Sequence, residues 1–196
     1  MLVDTNSISP LPSDQHQGQP DQAASMVLER KNCRFIANPE GVLSKHIGNI
    51  SPDEMIHFYS FGSFNMMRLI FHILDQTGPA DILMCSYSIS QQTIEAIIRR
   101  REKGLIKNIR FIIDHRVKTM KPKPLQMLLQ NFEVRFNAIH AKVSLIQNMS
   151  WNISIISSQN ATDNPKIERG VIIPFKDVFE FDKEQLNYAF DTGTTR

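Results

Sequence analysis

The chain has 196 residues, 41% apolar and 21% charged, with a formal net charge of +2, which is ordinary composition for one globular domain with a tail. No segment approaches the roughly 18 apolar residues of a membrane span, and the first residues lack the basic start and apolar core of a secretory signal. The two cysteines, Cys33 and Cys85, form neither a disulfide framework nor a metal spacing; both read as small buried or half-buried hydrophobes, and a reducing cytoplasm is the expected compartment.

In chain order, residues 1–25 are rich in Ser, Pro, Gln and Asp and nearly free of large apolar side chains. Such a segment cannot offset its own ordering entropy, so it reads as a disordered leader, with residues 26–196 as the folded domain. The stretch VLERKNCRFIANP holds a short strand or a turn of helix. Ser51-Pro52-Asp53-Glu54 has the form of a helix start, with Ser51 as N-cap and Pro52 at the first helical position, and predicts a helix over about 52–59. A second helix is predicted over about 65–76, where Met66, Leu69, Ile70, Ile73 and Leu74 recur at helical spacing before Gly78-Pro79. Then the elements alternate. Strands are expected at 81–85 and 109–114, helices at 91–103 and 124–131, and a strand with period-two alternation at 132–136. Three apolar runs follow at 141–146, 151–156 and 170–173, and an amphipathic helix at about 175–190. This order predicts an α/β fold with a mixed, largely parallel sheet flanked by helices on both faces, the later runs adding antiparallel pairing at one side.

The small net charge conceals an asymmetry. Between Arg99 and Lys123 stand ten Lys or Arg against Glu102 and Asp114, a local +8 that leaves −6 for the rest. A basic stripe on a balanced protein is the electrostatic footprint of a chain that meets a polyanion. Arg100, Lys118 and Lys121 are the candidate backbone contacts.

The residues that carry chemistry lie further on, in Ile139-His140-Ala141-Lys142-Val143-Ser144-Leu145-Ile146. His140 and Lys142, two residues apart at an otherwise apolar strand, project from one face. Burying them there is costly unless an anion meets them. The next apolar run ends in Ser157-Ser158-Gln159-Asn160, and Glu168 opens the one after it. An imidazole, an ammonium, hydroxyls and a carboxamide are the groups that hold and attack a phosphodiester: charge from lysine, oriented hydrogen bonds from Ser and Asn, a nucleophile or acid near neutral pH from His.

In its order, this region resembles the phospholipase D superfamily motif, His-x-Lys-x4-Asp followed by Gly-Ser-x-Asn and an acidic strand start. His140 and Lys142 match its first two positions, Ser158 and Asn160 the Ser and Asn, Ser157 stands where the family has Gly, and Glu168 falls at the acidic position. The motif Asp is replaced by Gln147. Upstream, Ile82 to Ile89 is similar to the family's first core strand with its Tyr-Ser ending, and Arg110 to Asp114 to its second.

The resemblance implies a metal-independent phosphodiesterase, a nuclease acting on DNA or RNA, with no cofactor and no membrane partner. One imidazole would attack phosphorus to give a phosphohistidine, and a second would protonate the leaving oxygen and later activate water. Catalysis is expected from His140, Lys142, Asn160 and Glu168, with substrate contacts from Ser157, Ser158 and the stripe. The chain holds one motif and no internal repeat, so a two-fold homodimer is expected to supply the second half-site. The alternative is a nucleic-acid-binding or assembly module that keeps the phosphate pocket without turnover.

Overall fold

The computed structural model describes residues 32–37, 43–117 and 122–195; the expected leader lies outside them. Its elements are β1 (Asn32–Ala37), α1 (Leu43–His46), β2 (Glu54–Phe61), α2 (Met66–Thr77), β3 (Ala80–Ser86), α3 (Gln91–Glu102), β4 (Ile106–Asp114), α4 (Pro122–Asn131), β5 (Glu133–Asn137), β6 (Val143–Gln147), β7 (Asn152–Ser157), β8 (Ile167–Ile173) and α5 (Lys176–Asp191).

The two central helices have local causes. At α2, the Asn65 side chain accepts the Arg68 N–H, and Gly78, at φ 83°, closes the helix by donating to the Leu74 carbonyl. At α3, the Ser90 hydroxyl accepts the Thr93 N–H, and Ile94 and Ile97 turn inward. The helix expected over 52–59 is instead strand β2. Ile56, Phe58 and Ser60 are buried, while Tyr59 and Phe61 between them are exposed, a period of two that helical geometry cannot satisfy. Ser51 does act as a cap, but of a turn: its hydroxyl accepts from the Asp53 N–H at 3.4 Å, and the chain then extends.

All eight strands form one sheet in the order β1-β2-β8-β7-β6-β3-β4-β5. The mixed α/β sheet with helices on both faces is as expected, but its balance differs. β1–β2, β3–β4 and β4–β5 pair in parallel. β2–β8, β8–β7, β7–β6 and β6–β3 pair antiparallel. The antiparallel block therefore sits in the middle, between two parallel flanks. The β6–β7 link, residues 148–151, and the β7–β8 link, residues 158–166, carry no helix, so a parallel crossover is closed to them.

Helices α2, α3 and α4 cover one face, where Ile70, Ile94 and Leu128 pack on Ile82, Phe111 and Ile155. On the other face, α5 lays Phe179, Leu186 and Phe190 against Leu83, Cys85, Ile112 and Leu145. Gly170, in the middle of β8, is forced by that packing. A Cβ there would collide with the ring of fully buried Phe58 and stand 3.0 Å from the Ser157 side chain. Gly170→Ala is expected to destabilise the fold by about 1–3 kcal/mol, as overpacking does. A lowered urea midpoint with an unchanged slope is the readout; an unchanged midpoint would contradict the packing.

Candidate functional site

Strand directions bring several ends together. The register puts the C-terminal ends of β2, β3, β4, β5 and β7 and the N-terminal ends of β6 and β8 at one end of the sheet. His140 and Lys142 lie just before β6 and not within the strand, and Ser157, Ser158, Asn160 and Glu168 belong to the same end. Two backbone bonds hold these segments side by side: Ser157 N–H to the Lys142 carbonyl at 3.0 Å, and Ser158 N–H to the Arg169 carbonyl at 2.9 Å. The turn after β3 joins them through the parallel bridge between Ile89 and Ala161.

The serine pair acts as a lock. Ser157 Oγ donates to the Arg169 carbonyl at 3.2 Å and accepts from the Gln159 N–H at 3.0 Å. Ser158 Oγ donates to Glu168 Oε2 and accepts from the Arg169 N–H at 3.0 Å. Asn164 Nδ2 donates to Glu168 Oε1 at 2.7 Å. Both carboxylate oxygens are thus engaged by neighbours on the loop, and both hydroxyls expected to meet substrate are engaged within the chain. Asn164, which sequence reasoning missed, stands four residues before Glu168, and only the loop's path reveals the pair. Gln159, also missed, is buried and donates to the Phe64 carbonyl at 2.7 Å, pinning the loop to the core. Asn160 follows it; its Oδ1 is buried and has no hydrogen-bond partner among the described residues.

His140 is exposed, its ring meeting Tyr87 edge-on at 5.6 Å. Lys142 Nζ donates to the His140 carbonyl at 3.0 Å. A cleft of about 410 Å³ opens beside the imidazole, lined by Asp114, His115, Arg116, Ala138, Ile139 and His140. The Arg116 guanidinium stands 5.0 Å from the Tyr87 ring centre and pairs with Asp114 at 2.8 Å. Burial alone would raise the Asp114 carboxyl; the hydrogen bonds and charge of Arg116 outweigh it and hold the group below its ordinary value. Cys85, whose thiol donates to the Ala141 carbonyl, is pushed up to about 12 by burial, against the weaker pull of a backbone bond and of Lys142. It stays a protonated thiol beneath the site. Cys33, expected to be buried or half-buried, is exposed.

One expected backbone contact stands apart from this end. Arg100 is at the end of α3, whose start faces the site. At 1.5 Å per residue it lies about 15 Å away along the helix, paired with Asp75 at 2.7 Å and stacked on Phe71 at 4.3 Å. Lys118 and Lys121 lie outside the described residues. The stripe itself is divided, because β4 carries its charges from one end of the sheet to the other. Gln147 also sits at the far end. It donates to Asn152 Oδ1 at 2.9 Å and accepts from Lys183 Nζ at 3.1 Å, tying β6 to β7 and α5. Gln147 therefore serves a structural junction away from the imidazole.

No protein-family model and no curated protein matches the chain, but solved structures do. Nuc from Salmonella typhimurium, described as a phospholipase D family member, superposes with a TM-score of 0.57 at 20% identity, over 71% of this chain and 95% of that one. NucT from Helicobacter pylori gives 0.52 at 14% identity, over 72% and 99%. Polyphosphate kinase from Porphyromonas gingivalis gives 0.58 at 13% identity, over 77% of this chain and 29% of that one. The chain has a phospholipase D-like fold. A fold shared by proteins with such different names leaves function to be argued from the site.

The Asp114–Arg116 pair yields a pH dependence. A carboxyl held below its unfolded value adds stability that is present above that value, about 3.9, and lost as pH falls through the lower folded one. Asp114→Asn is expected to lower stability by about 1 kcal/mol near neutral pH and by progressively less below pH ~4. Chemical denaturation of parent and variant across that range measures it, and a difference that grows on acidification would contradict the assignment.

Proposed function

We propose that this chain is a phosphodiesterase acting on nucleic acid, with His140 as nucleophile, Lys142 and Asn160 as phosphate ligands, and the second half-site supplied by another copy. The observation that carries the reading is the pair of backbone bonds, Ser157 to Lys142 and Ser158 to Arg169, that draws the His-x-Lys segment and the Ser-x-Asn loop to one end of the sheet. In this reading Lys142 leaves its carbonyl tether for a non-bridging phosphate oxygen, gaining a charged acceptor in place of a neutral one. His140 attacks phosphorus as the bond to the leaving oxygen breaks, and the partner's His140 gives that oxygen its proton. The partner's imidazole then takes a proton from water, and the hydroxide displaces His140 from phosphorus. Ser157, Ser158 and Asn164 are positioning residues that fix the loop and Glu168. No metal is needed where an ammonium and a carboxamide clamp the phosphate oxygens. Arg100 is left out of this site.

One observation favours a second reading, a binding module without turnover. Glu168, which would orient the imidazole, is engaged at both oxygens by Ser158 and Asn164. An imidazole without a carboxylate partner is a poorer nucleophile and base.

Cleavage of plasmid and single-stranded DNA and of RNA in excess chelator separates the two. The enzyme reading expects cleavage that falls at least about 10³-fold in His140→Ala and about 10²-fold or more in Lys142→Ala. Retained binding with no cleavage by the parent chain would establish the module, and cleavage unchanged in His140→Ala would remove His140 from the chemistry.

A further inference from the structure

Helix α5 covers only part of its face of the sheet. It lies over β3, β4 and β6 through Phe179, Leu186 and Phe190, and reaches β8 through Val178 against Ile173. Beyond that contact the same face continues across β8, β2 and β1 with no helix over it among the described residues. The register fixes what it shows: Phe35 beside His57, Tyr59 opposite Arg169, Phe61 opposite Ile167, and Ile156 opposite Val171. Seven large hydrophobic residues are exposed among those described, and five of them, Phe35, Tyr59, Phe61, Ile156 and Ile167, are on this face. Phe35 is 74% and Ile167 65% exposed. A contiguous apolar surface of this kind marks a place where something binds.

We propose that this open face is a stacking platform for the bases of a single-stranded nucleic acid, leading into the phosphate site. This rests on the functional reading above and names its substrate class. The chemistry of the face selects the occupant. The rings of Phe35 and His57 stack 4.7 Å apart and 9° from parallel, a short aromatic stack that an unpaired base would extend. The Arg169 guanidinium lies 5.8 Å from the Tyr59 ring centre and 3.4 Å from His57 Nδ1. Burial and then the Arg169 charge lower His57, which favours the neutral imidazole. The strand positions on this face hold no carboxylate: Glu54 and Glu168 fall on the alternate positions, with Glu54 paired to Arg34 at 2.9 Å. Aromatic planes beside a cation and free of acidic residues suit unpaired bases and their phosphates, whereas a duplex hides its base faces. The platform is also continuous with the site, because the Arg169 peptide is the one that Ser158 bonds at both N–H and carbonyl.

Fluorescence anisotropy with a labelled oligothymidylate of about 15 nucleotides, and with a duplex of equal length, tests this. The parent chain is expected to prefer the single strand. Phe35→Leu with Tyr59→Leu keeps the apolar area and removes the ring planes; its single-strand affinity should fall about tenfold per ring. Phe35→Tyr with Tyr59→Phe should restore it. Hydrolysis of a small chromogenic phosphodiester, which has no base to stack, should be unchanged in the leucine pair and lost in His140→Ala. Unchanged single-strand affinity in the leucine pair, or no binding by the parent chain, would overturn the platform even if His140-dependent hydrolysis persists. Loss of affinity in the leucine pair, with no hydrolysis by the parent, would support the platform and overturn only the enzyme. A dimer by light scattering that Phe35→Asp turns to monomer with oligonucleotide affinity intact would make the face a contact between copies and overturn the proposal.

Discussion

The peptide of Arg169 is the hinge of this structure. Its carbonyl accepts the Ser158 N–H and the Ser157 hydroxyl, and its N–H donates to the Ser158 hydroxyl. These bonds continue the β7–β8 pairing past its last ladder position, Ser157 opposite Gly170, into the loop that carries Asn160. With the Ser157 N–H bond to the Lys142 carbonyl, they join the loop, β8 and the chain before β6 at one end of the sheet. Gly170 beside it admits the Phe58 ring, so the geometry rests on a close approach that no larger residue allows.

That end follows from topology. Because β6, β7 and β8 run antiparallel between two parallel flanks, the start of β6 stands beside the ends of β3 and β7. Parallel sheets gather functional loops at their C-terminal strand ends; here an antiparallel insertion adds two strand starts to the same row. The row then holds an exposed imidazole, a lightly tethered ammonium and a carboxamide oxygen without a hydrogen-bond partner among the described residues, with the buried thiol of Cys85 held protonated below them. The imidazole and the ammonium suit an anionic ligand, and the carboxamide oxygen, an acceptor, suits a ligand or water that brings a donor. A single chain presents one of each, and that arithmetic, with the chemistry of in-line displacement, is the ground for expecting a second copy.

The sequence made much of this legible because some signals are local. Asn65 and Ser90 announce their helices, and His140, Lys142, Ser158, Asn160 and Glu168 stand out as polar residues at the ends of apolar runs. The failures have a common cause in partners distant along the chain. Ser51-Pro52 looks like a helix start until β8 and β1 are there to pair with β2. The charge run from Arg99 reads as one surface because sequence does not show that α3 carries it past Asp75, and β4 past Asn187 to Asp114, each of which takes one arginine. The bonds that the serine hydroxyls make to Glu168 and to the Arg169 peptide are invisible in sequence because those partners stand ten or more residues away. The aromatic face was hidden for the same reason, its rings standing on separate strands that only register brings together.

The central claim, one half-site per chain and two per reaction, is tested most directly by mixing parent chains with His140→Ala chains and measuring phosphodiester cleavage after subunit exchange. A mixed dimer would hold a single imidazole, so activity should fall as the square of the parent fraction. A fall in simple proportion to that fraction, at a concentration where the parent chain is monomeric, would contradict the shared site.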